Sequence, residues 1–218
     1  MKLKVFLYTV VVFLFVLFLL VLTTPRRESY RLVWQGVYQR VDSLFCHKYY
    51  NDVISTYGKV SEPVYDSVCN GYKMLPKSIQ DSFEQDGWKI IISAYPINTL
   101  VTAEDNMIAV AQHDTHIIYI YKDYAYDGVL LHEIGHYVDS TKGFVSSKIQ
   151  DIRLRERSSL MDLETTLTNT DDAYEHNTEN ASEYFATAFA AYILMPDKLY
   201  ECCPDTYEYI KQVVSEDP

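Results

Sequence analysis

Hydrophobic positions along the chain follow a helical period in some segments and a strand period in others. Three short runs are rich in β-branched and aromatic residues, which is typical of strands, and longer segments repeat apolar residues at helical spacing. The predicted helices cover 31–73, 75–85, 127–142, 147–167, 181–194 and 207–214. The predicted strands cover 88–93, 106–112 and 116–121, with a hairpin loop at 113–115. Helices, a small sheet and further helices, in this order, indicate an α+β fold.

The N-terminal segment has a different pattern, because no charged residue occurs between Val5 and Leu22. An apolar run of this length can span a bilayer as a helix, and no Ala-x-Ala-like cleavage site follows it. We therefore expect an uncleaved membrane anchor, with a cleaved signal peptide as the alternative. On either interpretation the rest of the chain is extracytoplasmic, anchored by residues 5–22 or secreted.

Composition narrows the range of partners. The chain has 30 acidic and 19 basic residues and a formal net charge of -11, which argues against nucleic acid, since phosphates are bound by clusters of Lys and Arg. A hydrophobic content of 48% is that of a packed domain, and we expect a monomer. Of the four cysteines, Cys46 and Cys69 have two equally open states, a disulfide or free buried thiols.

The helix predicted at 127–142 contains the sequence His132-Glu133-Ile134-Gly135-His136. Residues four apart lie one above the other on a helix, so both imidazoles can bind one ion. Glu133 points about 100° away around the helix axis, where a general base can take a proton from the attacking water. This His-Glu-x-x-His pattern on a helix indicates a zinc-dependent metallopeptidase.

Catalytic zinc needs a third protein ligand and an open position. The chain lacks the metzincin continuation, because Asp139 and Lys142 stand where its Gly and third His belong. A glutamate from a second helix is the other common solution, and Glu179 and Glu183 are both available. We predict that Glu183 is the ligand, because it opens an apolar helix that can pack against the helix carrying the histidines.

These two segments carry a family resemblance. The first runs from His132 to Asp139, and the second is Glu183-Tyr184-Phe185-Ala186-Thr187-Ala188-Phe189. Together they resemble the catalytic domain of anthrax toxin lethal factor and the bacterial secreted Pro-Pro endopeptidases. The resemblance implies a zincin-like domain with a small mixed sheet, in which the active-site helix packs against the helix carrying Glu183. The expected organisation is therefore a signal-anchor or signal peptide at 1–24, a helical region at 25–74 and the catalytic domain at 75–218.

The chain departs from this family at two positions. The family has a second acidic residue one turn after the third ligand, where this chain has Thr187, so support for the ligands must come from elsewhere, with Asp139 as a candidate. The family also has a tyrosine that stabilises the oxyanion. At its spacing this chain has His176, and Tyr174 lies two residues earlier, so both residues stay candidates.

The predicted activity is that of a gluzincin-type zinc endopeptidase. Zn²⁺ is held by His132, His136 and Glu183, Glu133 is the general base, and the substrate is a peptide or protein added as a strand along the edge formed by 107–112. Two alternatives are a catalytically silent zinc-binding scaffold and a secreted, toxin-like metalloprotease acting on host proteins. His113 and His116 have a structural role in this interpretation.

Overall fold

The computed structural model describes residues 52–101, 107–168 and 180–215, all of which belong to one compact unit, Cys46–Pro218. The predicted anchor at 5–22 and Cys46 lie outside the described residues. No helix in the described ranges is both long enough and apolar enough to cross a membrane. Cys69 is a buried free thiol.

The described residues form seven α-helices and four strands. The strands are β1 (Ile54–Tyr57), β2 (Lys89–Ser93), β3 (Ala109–Gln112) and β4 (Ile117–Tyr121). The helices are α1 (Glu62–Met74), α2 (Lys77–Gln85), α3 (Asp127–Thr141), α4 (Gln150–Thr168), α5 (Ala181–Leu194), α6 (Pro196–Cys202) and α7 (Pro204–Ser215). Short 3₁₀ turns lie at Ile97–Thr99, Lys122–Tyr124 and Val145–Lys148.

The four strands form one mixed sheet in the order β1-β2-β4-β3. The β1–β2 and β2–β4 pairs are parallel, whereas β3 and β4 form the predicted antiparallel hairpin. Every second residue of β2 and β4 is buried against the helices, and four isoleucines fill these positions: Ile90, Ile92, Ile118 and Ile120. The α+β fold with a small mixed sheet is therefore confirmed.

Strand β1 is the main departure from the expected elements. It lies in the segment whose pattern indicated a continuous helical region, and the helix there begins only at Glu62. Four residues are too few for a strand period to stand out beside a helical pattern. Because β1 pairs with β2 and α1 packs against α3, the described part of that region shares the core of the sheet.

Helices α3 and α5 pack closely at the centre of the molecule. A Cβ atom placed on Gly135 of α3 would lie 2.7 Å from the Cα of Ala186 on α5, so the two backbones touch where a side chain has no room. Helix α5 is buried from Tyr184 to Ala191, as expected of a helix that is apolar on all sides. This contact brings the two segments of the predicted site together.

Candidate metal centre

Helix α3 supplies three of the predicted site residues. It begins after Tyr126 and ends as predicted before Gly143, whose φ of 78° lies in the left-handed region that favours glycine. His132 and His136 are one turn apart on this helix, and their Nε2 atoms are 3.2 Å from each other. The helix therefore directs both imidazoles to one point.

Helix α5 supplies the carboxylate. The side chain of Asn180 accepts hydrogen bonds from the backbone N–H groups of Ser182 and Glu183, which fixes the first turn of the helix. From this turn, Glu183 Oε2 lies 3.1 Å from His132 Nε2 and 3.4 Å from His136 Nε2. The three side chains predicted as ligands thus meet, and they form a group able to hold a metal ion.

The dimensions of this group are close to those of a tetrahedral zinc site. Zn²⁺ binds His nitrogen and carboxylate oxygen at about 2.0–2.2 Å in tetrahedral geometry, which places neighbouring donor atoms about 3.3–3.6 Å apart. The three donor separations in the protein are 3.1, 3.2 and 3.4 Å, so one lies within this range and the other two are shorter by about 0.1–0.2 Å. Two imidazoles and one carboxylate also leave a fourth position open, as catalytic zinc sites do.

Charges around the group favour a cation at its centre. Burial is the largest single effect on the pKa of Glu183 and on that of His136, but in both cases the combined effect of neighbouring groups is larger and opposite. Hydrogen bonds with the two histidines hold the pKa of the Glu183 carboxyl far below its usual range. The Glu183 hydrogen bond and the charge of Glu133 raise the pKa of His136 despite its burial. The same carboxylates, Glu183 and Glu133, also attract a cation to this point.

Glu133 lies beside this group and not within it. Its side chain is buried, and this burial raises the pKa of the Glu133 carboxyl, while the neighbouring histidines act in the opposite direction. The carboxylate accepts a hydrogen bond from the backbone N–H of Ala111 on β3. Glu133 is therefore held between the two histidines and the edge of the sheet, which is where a general base would have to act.

Hydroxyl groups of α5 support both histidines. Thr187 Oγ lies 3.3 Å from His132 Nδ1, and Ser182 Oγ lies 3.3 Å from His136 Nδ1. The threonine that replaces the family's second acid thus contacts a ligand itself. Asp139 is connected to His136 indirectly, because the hydroxyl of Ser182 is 3.2 Å from Asp139 Oδ2. Sequence reasoning did not identify Ser182, although its place next to Glu183 was a usable signal.

The remaining candidates have other surroundings. Tyr174 and His176, the alternative oxyanion donors, lie outside the described residues. His113 and His116 pack around Trp88. The ring of His116 is stacked on the indole at 5.3 Å, and the ring of His113 meets it edge-on at 5.2 Å. These contacts agree with the structural role expected for both histidines.

Comparison with known proteins identifies a matching family and a similar fold. Residues 97–213, more than half of the chain, match the family described as anthrax toxin lethal factor, N- and C-terminal domain. The fold is similar to that of the PRO-PRO endopeptidase PPEP-2 from Paenibacillus alvei, with a TM-score of 0.57 and 18% sequence identity over 74% of this chain and 97% of that one. No curated protein sequence matches the chain. The family match covers more than half of the chain and includes both histidines, Glu133 and Glu183. This chain therefore belongs to the anthrax toxin lethal factor family.

Proposed function

We propose that this chain is a zinc-dependent endopeptidase of the gluzincin type that cleaves protein substrates outside the cytoplasm. The observation that carries the proposal is the triangle of donor atoms from His132, His136 and Glu183, with the buried carboxylate of Glu133 beside it. Family membership and the fold shared with an endopeptidase support the same activity.

The chain's own residues divide the chemistry between them. His132, His136 and Glu183 would hold the metal, which when bound supplies a Lewis acid for the scissile carbonyl and its attacking water. Glu133 would accept a proton from that water and deliver it to the leaving amine. Burial suits Glu133 to this role, because a raised pKa brings a carboxyl closer to neutral pH, where it can both accept and return a proton.

Strand β3 offers a place for the substrate. In the described part of the chain it pairs with β4 only, so it forms the predicted edge of the sheet. The backbone N–H of Tyr121 on β4 donates to the C=O of Ile108, so Ile108 faces β4 with its backbone groups. In an antiparallel pair every second residue does so, and the register places Ala109 and Ala111 at the other positions, whose N–H and C=O groups point away from β4. The Ala111 N–H already donates to Glu133, so an extended peptide could pair with the N–H and C=O of Ala109 and with the C=O of Ala111, beside Glu133.

Two parts of the proposal concern residues outside the described ranges. Stabilisation of the oxyanion is assigned to Tyr174 or His176, with Tyr174 preferred because a phenol keeps its proton at neutral pH. The location outside the cytoplasm is assigned to the apolar segment 5–22, which would anchor the domain or direct its secretion.

Glu133→Gln tests the mechanism. The amide keeps the shape of the side chain but cannot accept a proton, so zinc content should stay unchanged while turnover of a cleaved peptide falls by about 10²–10⁴-fold. The peptide is first chosen by mass spectrometry of a peptide library digested with the zinc-loaded wild type. Glu201→Gln is the matched control, because Glu201 is exposed, and it should have wild-type activity.

Two results would contradict the proposal. Turnover of Glu133→Gln near that of the wild type would exclude Glu133 as the base. A zinc-loaded wild type that cleaves no member of the library would instead favour a non-catalytic zinc-binding scaffold.

A further inference from the structure

The hydroxyl of Ser182 lies between a predicted metal ligand and a buried carboxylate. Its oxygen is 3.3 Å from Nδ1 of His136 and 3.2 Å from Oδ2 of Asp139. Asp139 is 2% exposed and follows His136 by three residues on α3, so the two side chains lie on the same side of the helix. Ser182 comes from the opposite helix, α5, and bridges them.

The direction of these hydrogen bonds follows from the donors around Asp139. The backbone N–H and the hydroxyl of Ser146 each donate to the carboxylate at 2.7 Å. A carboxylate only accepts, so the hydroxyl of Ser182 must also donate its single proton to Asp139. The Ser182 oxygen is then left to accept from His136, which requires a proton on Nδ1 of that ring.

This arrangement determines which nitrogen of His136 faces the candidate metal centre. With Nδ1 protonated, the lone pair of the neutral ring is on Nε2, the atom that lies 3.4 Å from Glu183 Oε2 and 3.2 Å from His132 Nε2. The hydrogen bond from Nδ1 to Ser182 also fixes the orientation of the ring. Metal-binding histidines generally donate their other N–H to such a partner.

We propose that Ser182 is a positioning residue, which fixes the tautomer and orientation of His136 and connects this ligand to the charge of Asp139. The inference rests on the proposed function and adds a role for a residue that is neither a ligand nor a base. Neighbouring residues of α5 then have complementary tasks, because Glu183 would bind the metal directly and Ser182 would orient a ligand of α3. The carboxylate acts on His136 through the hydroxyl.

The test measures zinc affinity and not only activity. Metal-free protein is titrated with zinc in competition with a chromophoric chelator. Loss of an outer-shell partner typically weakens metal binding by about 10–100-fold, so Ser182→Ala should bind zinc at least about 10-fold more weakly than the wild type. Ser182→Thr keeps a hydroxyl and should restore most of the affinity. Ser147→Ala is the matched control, since Ser147 is exposed, and it should bind zinc as the wild type does.

A double-mutant cycle with Asp139→Asn distinguishes this relay from two independent contacts. If Asp139 acts through Ser182, the two losses of zinc affinity should not add. The Ser182→Ala, Asp139→Asn double variant should then bind zinc about as weakly as whichever single variant binds it less tightly. The absorption spectrum of the Co²⁺-substituted protein should change in both single variants and stay unchanged in Ser147→Ala, because it reports the orientation of the ligands.

The outcomes separate this inference from the proposed function. Zinc binding by Ser182→Ala within about twofold of the wild type would overturn the positioning role and leave the metal centre intact. Losses that multiply in the double variant would overturn the relay from Asp139. A wild type that binds no zinc would overturn the proposed function itself.

Discussion

Glu183 is the one carboxylate among the three donors of the candidate metal centre, and it comes from a different helix than the two histidines. Its alternative in the sequence is Glu179, which lies outside the described residues. The backbone N–H of Glu183 is held by the Asn180 cap, so its side chain leaves the helix at a fixed position in the first turn.

We therefore expect Glu183→Ala to weaken zinc binding more than any change in the outer hydrogen bonds does. The loss should exceed the roughly 10–100-fold that such outer partners contribute, because a direct donor and its charge are both removed. Glu179→Ala is the matched control and should bind zinc normally. Zinc analysis of both variants after dialysis decides between them, and the reverse ranking would make Glu179 the ligand.

The sequence predicts the relative positions of those site residues that are separated by a short, fixed spacing. His132, Glu133 and His136 lie within one helical turn, so their relative positions follow from the helix geometry alone. The contacts of Ser182 and Thr187 with the histidines follow from which face of α5 meets α3, and that depends on packing between segments far apart in the chain. No local pattern contains this information.

At the level of elements, the contact between α3 and α5 holds the candidate site together. Gly135 and Ala186 are the smallest residues available, and they allow the two backbones to touch. The histidines and Glu183 belong to different helices, so their distances depend on this approach.

Gly135→Ala should therefore destabilise the protein although alanine favours helices. Its Cβ would lie 2.7 Å from Ala186 Cα and 3.1 Å from Ala186 O, both backbone atoms, so the helices must separate. Overpacking of this kind costs about 1–3 kcal/mol, which thermal unfolding should record as a lower Tm. The same separation should weaken zinc binding.

Gly128→Ala provides the control within the same helix. There the new Cβ would meet only side-chain atoms, the ring of Tyr126 at 3.2 Å and Leu194 Cδ1 at 3.8 Å, and the ring needs to shift by only a few tenths of an ångström. Its Tm should stay close to the wild-type value. If Gly135→Ala had the same Tm and zinc affinity as Gly128→Ala, then α3 and α5 would not need a glycine at this contact.

The elements were predicted to different degrees for physical reasons. Helix α5 was predicted with its observed bounds, because an Asn cap begins it and Pro196 follows its end. Of the last two helices, α6 was not predicted and α7 was predicted only in part. Pro196 opens α6 in addition to following α5, and α7 begins at Pro204, where the sequence prediction began at 207. Proline at the first turn of a helix is easily taken for the end of the preceding one.

At the scale of the whole molecule, the proposed location of the domain rests on the apolar segment 5–22. An uncleaved anchor should place the intact chain in the membrane fraction, where high salt does not release it, because the apolar segment is held by the bilayer itself. Protease added to intact cells should digest the domain. A soluble mature chain that begins near Thr24 would identify a cleaved signal peptide instead, and a chain protected from protease until lysis would contradict the proposed location.

The edge strand β3 has a consequence for the state of the target protein. If a substrate pairs with Ala109 and with the C=O of Ala111, as proposed, its own backbone groups must be unpaired, and a segment inside a helix or sheet of a folded target does not meet this condition. Such a segment becomes available only while it is locally unfolded. When reclosing is faster than cleavage, the rate of proteolysis follows the equilibrium population of the open form of the target. Two proteins with the same cleavage sequence would then be cut at different rates. The ratio of the rates would be set by the difference between their free energies of local opening.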